Sequence, residues 1–127
     1  MDPLIQKALE ARKHSYSPYS HFAVGAALET EDGKIFTGTN VENASYGLTI
    51  CAERSALVKA VSEGARKFKR IVIVTDMDPP ASPCGMCRQM LMEFSPKLVV
   101  LLANPKGKVE EIPLDTLLPR AFQSLER

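Results

Sequence analysis

Cys84 and Cys87 stand two residues apart in SPCGMCRQM, residues 82–90. Two thiols at that spacing suit a redox dithiol, half of a structural zinc site, or part of a catalytic one. The spacing alone does not choose. The third cysteine, Cys51, lies in TICAERSAL, residues 49–57, and Glu53 follows it by two positions. Three soft thiolates suit zinc. A structural site normally takes four protein ligands, and the chain has no fourth cysteine. Its two histidines, His14 and His21, lie upstream, and a structural site completed by one of them stays open as an alternative. Three ligands leave one tetrahedral position for water, the pattern of a catalytic zinc.

A carboxylate beside such a position can take a proton from the water and pass it on. Glu53 is the candidate. Residues i and i+2 on a regular helix point to nearly opposite sides. Glu53 therefore joins Cys51 only if Cys51 sits at the first, irregular turn. Three thiolates leave zinc with a net negative charge, which blunts its power to acidify water. Helix N-termini at Cys51 and Cys84 would offset part of it. Arg54 can donate hydrogen bonds to the sulfurs, with Arg88 a weaker candidate. Arg54 reads equally as a solvated helix charge.

The elements must bring these segments together. Residues 3–15 read as a helix with Ile5, Ala8, Leu9 and Arg12 on one face, broken by SPYS at 17–20. Residues 22–29 and 34–40 read as strands joined by the turn at 31–33. Residues 51–63 read as a helix with Ala52, Ala56, Leu57, Ala60 and Val61 as its apolar stripe, stopped at Gly64. RIVIVTD, 70–76, is a strand buried on both faces. Ser82 as N-cap and Pro83 as first residue open another helix, whose Cys87, Met90, Leu91 and Phe94 face the sheet. Strands at 98–103 and 108–112 and a short helix over 114–122 follow. The pattern predicts one α/β domain over 1–127, a three-layer α/β/α sandwich around a mixed sheet of roughly five strands. Helix N-termini in such sheets gather outside the strand ends, where sites form.

Composition narrows the partners. The chain has 127 residues, 16 Lys and Arg against 15 Asp and Glu, and a formal charge of +1. That balance gives no electrostatic reason for a nucleic-acid partner. RKFKR, 66–70, reads as a solvated loop before it reads as a nucleic-acid patch. No apolar run approaches the roughly 20 residues of a membrane span. The N-terminus has no signal-peptide core, so the expected location is the cytoplasm, where thiols stay reduced.

Taken together, YSPYSHFAVGAAL (16–28), NVENASYG (40–47), CAER (51–54) and PCGMCRQ (83–89) resemble the zinc-dependent cytidine deaminases. A ligand, one residue and Glu, then Pro-Cys-x-x-Cys, is the signature of zinc deaminases. Cys51 in place of histidine as first ligand resembles the small homotetrameric members that act in pyrimidine salvage. The resemblance implies one zinc held by Cys51, Cys84 and Cys87, and Glu53 as proton shuttle. It implies Asn40 and Glu42 on the ribose hydroxyls and Phe22 against the pyrimidine ring. The backbone of Ala52, with Glu53, would read the base. Tyr46 and Phe122 would complete a pocket shared between subunits. The implied reaction is hydrolytic deamination of cytidine and 2'-deoxycytidine to uridine and 2'-deoxyuridine.

Plainer readings stand beside these. Asn40 and Glu42 share a strand side, which suits a ribose diol but also an ordinary polar turn. Phe22, in line with Val24, Ala26 and Leu28, reads as core on pattern alone. Another aminopyrimidine or a nucleoside-like antibiotic would serve as substrate for the same chemistry. A zinc-stabilised binding module would show a closed, four-ligand site.

Overall fold

The apolar runs form strands and the turns between them use glycine. The computed structural model describes residues 2–122. Strands β1 (Gly25–Thr30) and β2 (Ile35–Thr39) make an antiparallel hairpin. Gly33 closes it at φ 93°, a left-handed conformation that a side chain would strain. Strand β3 (Phe68–Val74) pairs antiparallel with β1 and parallel with β4 (Val99–Ala103). Strand β5 (Val109–Pro113) lies antiparallel to β4, giving the order β2-β1-β3-β4-β5.

Direction decides where the cysteines go. Because β1 is antiparallel to both β2 and β3, strands β2, β3 and β4 all run the same way. Helix α2 (Ala52–Ser62) follows β2, and α3 (Gly85–Phe94) follows β3. Both helices therefore start at the same edge of the sheet, outside the carboxyl ends of parallel strands.

The sheet has two apolar faces. On one, α1 (Pro3–Arg12) buries Leu4, Ile5 and Ala8 against Ala27, Val72, Val74 and Leu101. On the other, α2, α3 and the short α4 (Leu114–Leu117) cover Ala26, Leu28, Ile71, Ile73, Val100 and Leu102. Alternate residues of β3 thus serve both cores, each fully buried aliphatic stabilising by about 1.5–3 kcal/mol. The three-layer sandwich and its mixed five-stranded sheet match the expectation.

Close packing sets the depth of α2. A Cβ on Gly38 would lie 2.4 Å from the Ala56 amide nitrogen and 2.5 Å from the Ala52 carbonyl oxygen. Only glycine lets the first turns of α2 rest directly on β2. Ser55 Oγ then donates to the Thr39 carbonyl at 2.9 Å, and Lys59 Nζ to the Thr37 carbonyl at 2.6 Å. These bonds tie the helix to the edge strand and occupy edge carbonyls that would otherwise be open.

Several boundaries differ from expectation. The first helix ends at Arg12, and β1 starts at Gly25, so Phe22 and Val24 precede the strand. His21 at φ 58° turns the chain just before them. Strand β3 begins earlier, at Phe68, which is buried and packs edge-on against Phe94 with ring centroids 6.2 Å apart. Of the basic run, Arg66 donates to the Val61 and Ala65 carbonyls, and Arg70 pairs with Asp2 and Glu29. The N-cap of α3 is Cys84, not Ser82, because the prolines at 79, 80 and 83 favour extended chain before it. The last helix stops at Leu117, since Pro119 has no amide to continue it.

Candidate active site

Cys51 and Cys84 each occupy the N-cap of a helix, with extended backbone at ψ 156° and 166°. An N-cap side chain normally turns back to bond its own helix amides. Neither cysteine does so, and both sulfurs remain for other partners. Cys87 follows on the first turn of α3 and is buried. Cys51 Sγ lies 3.8 Å from Cys84 Sγ, and Cys84 Sγ lies 3.4 Å from Cys87 Sγ. All three sulfurs fall within 4.8 Å of one another.

That triangle fits a zinc ion. Tetrahedral bonds of about 2.3 Å place sulfurs about 3.8 Å apart. Among the described residues, neither His14 nor His21 belongs to the cluster. The donor set is three thiolates, soft and suited to zinc. Arg54 adds a second observation. Its Nη2 donates to the Thr49 carbonyl at 2.8 Å, while its Nε is buried with no hydrogen-bond partner. A buried cationic N–H of this kind is stabilised by an anionic neighbour, such as a thiolate-rich metal centre.

The thiols do not share charge evenly. Hydrogen bonding from Cys87, then from Cys84, with help from the Arg54 guanidinium, lowers Cys51 from 9.0 to about 5. Cys87 moves up, chiefly because its thiol donates to Cys51 and secondly because it is buried. Metal binding must displace the thiol protons that remain.

Glu53 is 5% exposed. Because Cys51 precedes the helix and Glu53 lies within its first turn, the opposition of i and i+2 does not apply. Both line one cavity of about 220 Å³, with Cys84, Phe22, Val24, Asn40, Thr49, Ala52, Ile73, Thr75, Ala81 and Ser82. Burial raises the Glu53 carboxyl above its ordinary value, and the Cys51 thiolate adds to that. A carboxylate so placed takes up a proton readily. Its oxygens lie outside the ligand cluster, as suits a proton carrier more than a ligand.

The sequence-predicted substrate residues divide. Phe22, Asn40 and Ala52 share the cavity with Cys51 and Cys84. Asn40 is buried, and its Oδ1 accepts from Ser15 Oγ at 2.6 Å and from the Val24 amide at 2.9 Å. Its Nδ2 donates to the Phe22 carbonyl at 2.7 Å, leaving one N–H for a further acceptor. Glu42 and Tyr46 line an adjoining hollow with Tyr19, Ser20 and Asn43, joined to the cavity through Thr49. Glu42 Oε1 accepts from the Tyr19 and Ser20 amides at 3.0 and 3.1 Å, and Oε2 from Ser20 Oγ. The Ser20 hydroxyl is the main reason Glu42 is held below its ordinary value. Tyr46 is 79% exposed on a single 3-10 turn, Tyr46–Leu48. Phe122 lines neither hollow, and its carbonyl accepts from Gln89 Nε2 at 2.6 Å. Sequence reasoning missed Ser15, Ser20 and Thr75. Ser15 and Ser20 act on residues more than twenty positions away, which no local pattern signals.

The larger hollow of about 420 Å³, lined by residues such as Asp32, Lys34, Glu63 and Arg66, contains none of the thiols. Chemistry, not size, marks the site.

The chain is similar to known proteins in sequence and fold. The family described as the cytidine and deoxycytidylate deaminase zinc-binding region matches residues 2–103. A cytidine deaminase of Sporosarcina psychrophila is 50% identical over 123 residues, covering 96% of this chain and 90% of that protein. One from Halalkalibacterium halodurans is 52% identical over 120 residues, covering 94% and 91%. The crystal structure of a cytidine deaminase from Burkholderia pseudomallei superposes with a TM-score of 0.91 at 51% identity, over 94% of this chain and 96% of that one.

Proposed function

This chain belongs to the cytidine and deoxycytidylate deaminase family, and we propose that it hydrolyses cytidine and 2'-deoxycytidine to uridine and 2'-deoxyuridine, releasing ammonia. The observation that carries the reading is one small cavity lined by Cys51, Cys84 and the buried Glu53 carboxylate, with Cys87 completing a three-thiol cluster suited to zinc. Cys51, Cys84 and Cys87 would hold the zinc. The zinc supplies Lewis acidity and lets a water act as nucleophile near neutral pH.

Glu53 does the proton work. Its carboxylate takes a proton from the attacking water and gives one to N3 of the pyrimidine as water adds to C4. It then takes the proton of the C4 hydroxyl and delivers it to the departing amine, so that ammonia leaves as the C4 carbonyl forms. Its raised proton affinity suits both halves of the cycle. Phe22 packs against the ring, and the Ala52 backbone at the start of α2 faces the base. The spare Nδ2 hydrogen of Asn40 and the carboxylate of Glu42 take the ribose hydroxyls. Arg54 steadies the charge on the sulfurs.

The site is completed by other copies of the chain. Tyr19 and Tyr46 line the second hollow, and Tyr16, Val41, Leu48 and Ile50, close to them along the chain, are exposed as well. Such a patch supports association. A homotetramer would place Tyr46 and Phe122 against neighbouring sites. Sedimentation as a monomer at working concentration would remove those roles. No helix among the described residues is long and apolar enough to cross a membrane. The three free cysteines suit a reducing cytoplasm.

The test is direct. Purified protein is mixed with cytidine, and conversion of cytosine to uracil is followed by ultraviolet absorbance alongside the zinc content. Turnover with one zinc per chain is the expected result. Zinc without turnover would point to another substrate or to a structural site.

A further inference from the structure

Two arginines reach back to the chain just before a ligand cysteine. Arg54 donates to the Thr49 carbonyl, inside its own turn, at 2.8 Å. Arg88 does something different. Its Nε donates to the Pro83 carbonyl at 2.8 Å, and its Nη1 to the Leu117 carbonyl at 2.7 Å. Pro83 immediately precedes Cys84, while Leu117 ends α4 in the C-terminal segment.

Both carbonyls need this partner. The helical bonds of α3 start at the Cys84 carbonyl, which accepts from the Arg88 amide at 3.0 Å, so the Pro83 carbonyl lies outside them. The Leu117 carbonyl is one of the orphan acceptors at the end of a four-residue helix, and Pro119 beyond it has no N–H. A guanidinium is planar, permanently charged and able to serve two acceptors at once. Beside it, Gln89 Nε2 holds the Phe122 carbonyl at 2.6 Å. One face of α3 therefore grips the segment from Leu117 to Phe122 and the turn that presents Cys84.

We infer that Arg88 is a positioning residue that makes the grip of Cys84 on zinc depend on the docked C-terminal segment. The inference rests on Cys84 being a zinc ligand. Without Arg88 the Cys84 turn loses its anchor, and two carbonyls lose charge-assisted partners.

Zinc-loaded wild type, Arg88→Ala and Arg88→Lys test it, with zinc transfer to a chromogenic chelator and hydrogen exchange over residues 114–122 as readouts. Arg88→Ala should release zinc about tenfold faster or more, the scale expected when an outer partner of a metal ligand is lost. Exchange in the C-terminal segment should quicken together with it. Arg88→Lys keeps the charge but not the fork, so most of the defect should remain; it carries the test alone if the alanine variant does not fold. Wild-type release from Arg88→Ala, with only faster exchange or a lower melting temperature, overturns the inference. So does full restoration by lysine. Absence of zinc from the wild type overturns the zinc reading itself, and the inference with it.

Discussion

The cysteine turns and the loop carrying Glu42 and Tyr46 lie side by side but are built differently. The cysteine turns are the first residues of helices pressed onto the sheet, with Gly38 allowing contact at backbone distance. The loop is pinned at its base, where Val41 and Ile50 exchange backbone bonds of 2.9 Å and the Glu42 amide donates to the Tyr16 carbonyl at 2.8 Å, and by the Glu42 carboxylate, which accepts from Tyr19 and Ser20. Beyond that base, Tyr46 and Leu48 are exposed. The difference separates two tasks. Bond-making groups sit where the fold leaves no freedom, within one chain. Glu42, proposed for the sugar, sits on a surface loop that also carries the exposed Tyr46 and Leu48.

Substitutions should respect that division, and the largest effect belongs to the rigid part. Cys84→Ala removes one of three donors. Its zinc affinity should fall well beyond the about 10–100-fold expected for losing an outer partner, and turnover should vanish with the metal. Metal analysis after gel filtration checks this. Retained zinc and activity would mean that Cys84 is not a ligand.

The loop should respond more gently. Glu42→Gln keeps the shape but weakens the bonds from Ser20 and Tyr19 and the ribose contact. KM for cytidine should rise about tenfold, the scale of one charge-assisted hydrogen bond, with kcat within about twofold. A fall in kcat at constant KM would move Glu42 from recognition to chemistry.

The smallest effect is one of pH. The Ser20 hydroxyl and the Tyr19 and Ser20 amides favour the ionised form of Glu42, so its folded value lies below the ordinary one. A depressed carboxyl contributes stability above its unfolded value and loses it as pH falls through the folded one. The loop, and with it KM, should therefore hold steady through the ordinary carboxylate range and weaken only below it. A KM that climbs already above pH 4.5 would contradict the depressed value.

The sequence foretold the helices and strands more fully than the exposed loop, for physical reasons. Helix and strand periodicity reports burial, so α2, β3 and the parallel arrangement of β3 and β4 were legible. The common direction of β2 and β3, each antiparallel to β1, brings Cys51 to Cys84. The position of Cys51 at an N-cap was required by the argument for Glu53 but not given by any local signal. Phe22 reads as part of a strand because its alternation with Val24, Ala26 and Leu28 reaches back beyond Gly25, where strand pairing begins. The α3 start was misread because Ser82 and Pro83 are good capping residues, and the preference of a sulfur for a metal over its own helix is not written in propensity. Phe122 matched a short motif, but a single chain leaves it outside both hollows. Contacts between distant loops, such as Ser15 with Asn40, leave no periodic trace at all.

The central claim is that Glu53, and not the zinc alone, moves the protons. Zinc-loaded Glu53→Gln, assayed with cytidine beside the wild type, tests it most directly. The account predicts one zinc per chain in both proteins and a kcat lower by about 10²–10⁴-fold in the variant. Turnover near the wild-type rate in a variant that still holds its zinc would contradict it.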